Sequence, residues 1–531
     1  MHISERRKWY IGFAVFVMVI LLSLSLLHAS IWFSIGFVAV LAVIAIYDVS
    51  QTKHSILRNF PIVGHMRYIL EFLRPEIQQY FIADNESEKP FGRELRSTIY
   101  RRAKGINDTV AFGTEKDIYR VGYEWVTHSL MPKHLDEIET RVKIGGSDCK
   151  QPYMASHLNI SAMSFGALSA NAVMALNKGA KLGGFYQCTG EGGLTKYHLQ
   201  GGDLVFQIGT GYFGCRTDDG KFSAEKFVEK ANLDRVKMIE IKLSQGAKPS
   251  HGGVLPAAKI TPEIAEIRGV SMGKDVLSPP AHSAFSTPIE FCYFIKQLRD
   301  LSNGKPIGFK LCIGSHVEFL AICKAMLETG IRPDFITVDG ADGGTGAAPL
   351  EFSNHIGMPL EDSLIFVHNA LVGCGLRDEI RIIASSKVAT GFDMVRLFAM
   401  GADTCNSARA MMLAIGCIQS RQCNNNTCPV GVATQNPRLE KALVVEDKMY
   451  RVYNFHKVTI QSCLEIIGAM GLISTDDVEP ENLKKRISVN EIKSYADLYD
   501  FIPERCLVDG NIPSLVLQDL GKRLELILFS F

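Results

Sequence analysis

The chain has 531 residues, 47% of them hydrophobic, enough to bury a large core spread over two to four domains. Its 57 Lys+Arg against 56 Asp+Glu leave no charge argument for nucleic acid, and no nucleic-acid partner is expected. Thirteen cysteines at irregular spacing in so long a chain do not form a secreted disulfide framework and fit a reducing compartment.

No residue from Trp9 to Tyr47 is charged, and only His28 interrupts the apolar run. The run is about twice the ~20 residues that cross a bilayer core. It reads as two short spans, near 9–27 and 31–47, joined by a tight turn: a transmembrane hairpin within residues 1–50. Arg6, Arg7 and Lys8 precede the first span, and Lys53 and Arg58 follow the second. The positive-inside tendency therefore predicts an anchor in the inner (cytoplasmic) membrane with the catalytic domain in the cytoplasm. A signal peptide would have a shorter apolar core with no second run behind it. A buried soluble hairpin is the other reading.

Residues 51–150 read as a connector or N-terminal cap. His54–Phe81 alternates Arg and His with apolar residues at helical spacing. That pattern suits an amphipathic element on a membrane surface or a helical cap on the next domain. Ser87–Gly105 is basic and reads as a solvated loop leading into a strand.

From about residue 155 onward, β-rich runs alternate with helical patterns. The predicted strands are 158–163, 184–188, 204–208, 237–242, 306–311, 334–339, 380–385 and 402–406. Eight strands with helices between most pairs predict an α/β fold, a (β/α)8 TIM barrel over residues 151–436. The polar, glycine-rich motifs fall at the C-terminal ends of these strands, where such barrels place their chemistry. A helix at about 437–470 and the remainder to Phe531 read as a C-terminal helical extension.

Ala414–Gln435 carries the most pointed chemistry. Cys417, Cys423 and Cys428 are separated by five and then four residues on a loop rich in Asn and closed by Pro429 and Gly431. Three thiolates on one short loop can converge on a soft inorganic centre. Zinc would favour CxxC pairs and four ligands, neither of which is present. A [3Fe-4S] cluster needs one thiolate per iron; three buried structural cysteines are the plain alternative.

This loop follows GADTCNSAR (Gly401–Arg409), and other long motifs precede it in order. They are NISAMSFGALS (Asn159–Ser169), TGEGG (Thr189–Gly193), EIKLSQGAKPSHGG (Glu240–Gly253), TPEIAEIRG (Thr261–Gly269), SPPAH (Ser278–His282) and DGADGGTGAAP (Asp339–Pro349). Over roughly residues 90–475 the chain resembles the FMN-binding synthase domain of glutamate synthases. It is similar above all to the short, stand-alone, membrane-associated FMN-binding glutamate synthase family proteins.

The resemblance implies FMN and a [3Fe-4S] cluster as cofactors, the cluster on Cys417, Cys423 and Cys428. It implies an FMN phosphate near Ser385, Ser386, Lys387, Ser407 and Ala408. Ala162, Met163, Ser164 and Gln207, with the turn Asp342–Gly343–Gly344, would line the ring, and Lys310 would face its N1/O2 edge. Gln245, Lys248 and Arg268 would hold the carboxylates of a 2-oxo acid, with Glu191 near the reacting carbon and Thr287 as a further carboxylate contact. Glu191, Lys248 and Lys310 are thus the expected catalytic groups.

Two departures accompany the match. Ala384–Gly391 lacks the glycines that large glutamate synthases carry there, and Val254 stands where they carry glutamine. The chain starts MHISERRK rather than with a glutaminase cysteine, and no GxGxxG segment opens a βαβ unit. Electrons are therefore expected from a donor protein or subunit, and ammonia from outside. The implied reaction is the reduction of an imine formed from a 2-oxo acid, such as 2-oxoglutarate, to an amino acid such as glutamate. Alternatives are a flavin oxidoreductase acting on an N-substituted glutamate, or a membrane-bound electron-transfer or sensory subunit without turnover of its own.

Overall fold

A computed structural model describes residues 16–17, 19–20, 31–135 and 141–510. The chain folds as two units, residues 1–94 and 95–531.

In the first unit, helix α1 (Ile31–Ser50) is continuously apolar until its last turn. Within it, Trp32–Ser50 is long and apolar enough to cross a membrane, with a mean hydropathy of 2.1 and only 6% of the segment buried. The turn of the expected hairpin and nearly all of its first span lie outside the described residues. Helix α2 (Gly64–Ile77) follows and ends in a π turn, Gln78–Ile82. The helical spacing read in His54–Phe81 is thus present.

In the second unit, eight parallel strands close into a barrel in chain order. They are β1 (Leu158–Ile160), β2 (Tyr186–Cys188), β3 (Asp203–Ile208), β4 (Val236–Lys242), β5 (Ile307–Leu311), β6 (Phe335–Asp339), β7 (Arg381–Ser386) and β8 (Thr404–Ser407). Each predicted run overlaps one of them. β8 closes on β1 through the pair Cys405↔Leu158. Every residue of β5 and β6 is buried, as expected of parallel strands covered on both faces. Tyr186, Met238 and Phe335 fill the interior with other residues of the strands, and the Tyr186 hydroxyl donates to Asn406 Oδ1 at 2.7 Å.

Helix α3 (Ala170–Gly183) starts on Ser169, whose hydroxyl accepts the Ala172 N–H, and stops at Gly184 in the left-handed region (φ 64°). Helix α4 (Val445–Ala469) lies against it. An added Cβ on Gly179 would stand 2.6 Å from Val452 Cβ, so glycine is what lets the two backbones approach. Beyond α4, strands Leu483–Arg486 and Ile492–Ser494 form an antiparallel sheet with Glu124–Val126.

The basic stretch Ser87–Gly105, expected as a loop, instead carries a helix, Arg93–Ala103. Its buried residues Arg96, Ile99 and Arg102 recur every third position, so two of the charges that suggest solvation lie on the inner face. Arg102 is satisfied there by Asp108, at 2.7 Å, and by the Thr459 hydroxyl. Pairing overrides the charge signal.

Candidate active site

The C-terminal ends of the strands bring one charged group together. Glu191, in the loop after β2, receives the Lys242 ammonium on Oε1 at 2.6 Å. Lys242 is the last residue of β4 and also donates to Gln245 Oε1 at 2.6 Å. Lys248 follows on the same loop and is buried, 3% exposed. Arg268, the last residue of the helix Pro262–Arg268, swings in from the next segment. Its Nη2 donates to the Phe165 carbonyl at 3.2 Å, and its guanidinium lies 5.1 Å from the Phe213 ring centre. A narrow cleft of about 20 Å³ opens among Glu191, Thr210, Lys242, Gln245 and Lys248.

The electrostatics set the protonation states. Burial raises the Glu191 carboxyl, but the Lys242 ammonium outweighs it, with Lys248 and Arg268 adding, so its pKa lies below the usual range and it is ionised. Burial, aided by Lys242, lowers Lys248 to about 8. Burial lowers Arg268 to about 10, against the pull of Glu191, and it stays charged at neutral pH. The set carries three cations against one carboxylate. Thr210 Oγ1, Ser278 Oγ and Arg268 Nε are buried without a partner among the described residues, an arrangement that a polar ligand would relieve.

The glycine-rich motifs exist for close approach. An added Cβ on Gly253 would stand 2.5 Å from Glu191 Oε1, and one on Gly192 would stand 2.6 Å from Arg268 Nη2. His282 of SPPAH is a brace: one ring nitrogen meets the Lys242 carbonyl at 2.9 Å and the other the Tyr212 hydroxyl at 3.0 Å. Burial holds it at about 4, so it is neutral and fits one donor and one acceptor.

Across the mouth, strand register sets Lys310 of β5 beside Lys242 of β4. Lys310 Nζ lies 3.3 Å from Asp339 Oδ2, at the end of β6. Burial disfavours its charge, but Asp339 and Glu240 prevail and hold its pKa above that of a free lysine. Gln207 donates to Glu240 Oε1 at 2.6 Å inside the barrel. Ser385 shares a 3.2 Å contact with the Ser161 hydroxyl, and Ser407 donates to the Val388 carbonyl at 2.6 Å. Ser386 donates to the Asp342 carboxylate, so that hydroxyl is already engaged. Ala408 precedes the helix Arg409–Ala414, and Lys387 is half-buried. Arg409 crosses the mouth to the Asp342 carbonyl at 2.8 Å and packs over Gly344. Ala162, Met163 and Ser164 form the loop after β1, on which Gly190 packs.

One sequence-predicted residue stands apart. Thr287 is exposed and caps the helix Pro288–Leu301, its hydroxyl accepting the Glu290 N–H at 3.2 Å. Lys242, Lys259 and Arg409 are the residues that sequence reasoning missed. For Lys242 a signal existed: a lysine ending a predicted barrel strand, three residues before Gln245.

The cysteine loop packs against the loop after β1. Gln435 donates to the Gly166 and Leu168 carbonyls at 3.2 and 2.8 Å, and buried Lys259 donates to the Ala167 carbonyl at 2.9 Å. Asn426 ties the loop to the Ala258 carbonyl at 2.8 Å. Burial raises the Cys417 thiol to about 12 and also raises Cys423. Cys417 and Cys423 are each influenced electrostatically by Cys428, and Cys417 also by Cys423. Among the described residues no three His, Cys, Asp or Glu are arranged around a single metal ion. Three free thiols carried on one short loop are a donor set that fits a multi-iron cluster, whose thiolates bind separate irons.

Comparison with known proteins places the chain in a family. The family model described as the conserved region in glutamate synthase matches residues 119–473. The chain is 38% identical over 508 residues to the glutamate synthase large subunit-like protein YerD of Bacillus subtilis (strain 168), covering 87% of this chain and 96% of that one. It is 32% identical over 373 residues to an archaeal glutamate synthase (NADPH) of Methanocaldococcus jannaschii, covering 70% and 69%. Against an archaeal-type glutamate synthase (NADPH) of Thermotoga neapolitana it is 34% identical over 316 residues, spanning 59% of each chain.

Proposed function

The chain belongs to the glutamate synthase family, and on that premise we propose that its barrel mouth reductively aminates a 2-oxo dicarboxylate, 2-oxoglutarate being the reference substrate. It is an oxidoreductase of the glutamate synthase type, acting on CH–NH2 donors. The observation that carries the substrate reading is the buried set Lys242, Lys248 and Arg268 around a single ionised carboxylate, Glu191. Lys242 is spent on Glu191. Lys248 and Arg268 are left for the two carboxylates of the ligand, Arg268 with a planar fork and Lys248 as a point charge. Glu191, ionised and beside the cleft, takes a proton from the incoming nitrogen and returns it to that nitrogen as the imine is reduced.

The family's chemistry runs on flavin and iron–sulfur cofactors. Bound FMN would supply hydride to the imine carbon. Lys310, buried, and Arg409, half-buried, suit an anionic ring edge and a phosphate, with the Ser385 and Ser407 hydroxyls as further candidates. Cys417, Cys423 and Cys428 would hold a [3Fe-4S] cluster that relays electrons from a donor protein or subunit. Lys310→Met is expected to lower the flavin's reduction potential by about 30–60 mV, since it removes a cation and strands the Asp339 carboxylate. A spectroelectrochemical titration checks this, and Lys310→Met with Asp339→Asn should return most of the shift. An unchanged potential would place Lys310 away from the ring.

The helix segment Trp32–Ser50 is proposed as a membrane span, with Lys53 and Arg58 marking its cytoplasmic end.

The test of the proposed reaction is direct. Anaerobically reduced protein is mixed with ammonium and a panel of 2-oxo acids, and flavin reoxidation is followed with amino-acid analysis. 2-Oxoglutarate should reoxidise fastest and yield glutamate, with monocarboxylates such as pyruvate well behind. The pH dependence has a definite sign. Lys248 is protonated below about 8 and loses its charge above it. KM for the dicarboxylate should therefore be flat below pH 8 and rise roughly tenfold per pH unit beyond it. Reoxidation by an N-substituted glutamate's imine but by no 2-oxo acid with ammonium would overturn the substrate assignment.

A further inference from the structure

The first unit carries an apolar surface that the proposed reaction leaves unexplained. Along α2 and the π turn after it, Met66, Ile69, Leu70, Leu73, Tyr80 and Phe81 are all more than 40% exposed. Met66, Ile69, Leu70 and Leu73 recur at intervals of three and four, so they form one stripe down the helix. Arg67 and Arg74 border this stripe, and Glu71 and Pro75 lie on the opposite side. Long cationic side chains beside an apolar stripe can lay their stems on a hydrocarbon surface while their heads meet anionic headgroups.

The position of the stripe names its occupant. α1 ends at Ser50, and α2 is tied to its last turn by one buried carboxylate. Asp48, 0% exposed, accepts the Ile62 N–H at 2.9 Å and meets His65 Nε2 at 2.9 Å. The stripe is thus fixed beside the end of the helix long and apolar enough to span a bilayer, the end flanked by Lys53 and Arg58. We propose that α2 lies in the headgroup–acyl boundary of an anionic bilayer, its Met66–Leu73 stripe immersed and Arg67 and Arg74 at the phosphate level, with Asp48–His65 as the elbow between span and surface helix. This rests on reading Trp32–Ser50 as the span.

The experiment uses the full chain reconstituted in phosphatidylcholine–phosphatidylglycerol vesicles, in a background where the native tryptophans Trp9, Trp32 and Trp125 are phenylalanine. Single probes are then introduced as Leu70→Trp, Met66→Trp and Glu71→Trp, with native Trp32 restored alone as the reference for the span. In vesicles of lipids brominated along the acyl chain, the Leu70→Trp and Met66→Trp probes should lose about half their emission while the Glu71→Trp probe is little affected. Replacing phosphatidylglycerol by phosphatidylcholine should weaken that quenching, and Arg67→Gln with Arg74→Gln should reproduce the weakening. Quenching of Trp32 without quenching at positions 66 and 70 would overturn the surface helix and leave the span intact. Blue-shifted but unquenched emission at 66 and 70 would mean cover by protein, a second copy or another segment, and overturns it equally. Failure of all probes, Trp32 included, would sink the span reading first.

Discussion

Cys423→Ser is expected to leave a chain that retains its flavin and holds no intact iron–sulfur cluster. Wild-type protein prepared anaerobically should contain about three irons and four sulfides per chain, with the paramagnetic signal of an oxidised three-iron centre. The reason is the donor set: Cys417, Cys423 and Cys428 share one short loop, and a cluster with one thiolate per iron cannot be held by two. Free in the fold, the Cys417 and Cys423 thiols are pushed toward protonation by burial, so binding must displace their protons. The contacts that seat the loop, Gln435 on Gly166 and Leu168 and Asn426 on Ala258, do not involve the cysteine side chains, so the barrel mouth should survive. Electron delivery from an external donor should stop while chemically reduced flavin still reacts. Cys374→Ser is the control; that thiol is buried beside Cys323 in the barrel's outer layer and should leave iron content unchanged. A fully active, iron-free wild-type protein would reduce all three cysteines to structural residues.

Lys242→Met should cost both stability and catalysis. The 2.6 Å pair joins a buried lysine to a half-buried carboxylate, so removing Lys242 strands the Glu191 charge and should cost about 3 kcal/mol, the low end for a buried pair. Glu191 would respond by taking up a proton, and Gln245 would lose its partner. With Glu191 neutral near pH 7, the proton acceptor is lost, and kcat should fall on the order of 100- to 1,000-fold. The second arm separates the two effects. Glu191→Gln added to Lys242→Met removes the stranded charge, so thermal stability should largely return while activity stays low. If both recover together, the pair is structural only. If Lys242→Met alone leaves kcat unchanged, Glu191 takes no proton in the reaction.

The barrel was legible before any fold was known, for local reasons, whereas the site residues were named through the resemblance to glutamate synthases. The eight strand runs show themselves through β-branched, apolar stretches punctuated by glycine, signals contained within a few residues of each strand. The spacing of Cys417, Cys423 and Cys428 left a cluster and structural cysteines both open, and the resemblance to glutamate synthases favoured the cluster. Ser87–Gly105 misled because charge is a local property and burial is not: Arg96 and Arg102 point inward on every third residue, toward partners such as Thr459 that lie far along the chain. Thr287 has a local role of its own. Its neighbour Pro288 and Glu290 three residues on make it a helix cap, a role its sequence context also encodes.

The sequence by itself determined the order and type of the elements, the apolar N-terminal segment and the residue types available at each strand end. Only the tertiary structure decided which of them meet. Glu191, Lys242 and Arg268 come from three separate loops and strand ends, and their pairing depends on barrel closure and on the register that sets Lys242 beside Lys310. Lys259 and Gln435 reach the loop after β1 from far along the chain. Such contacts follow from how parallel strands shear and where side chains lose water, and neither quantity is written in any local stretch of residues.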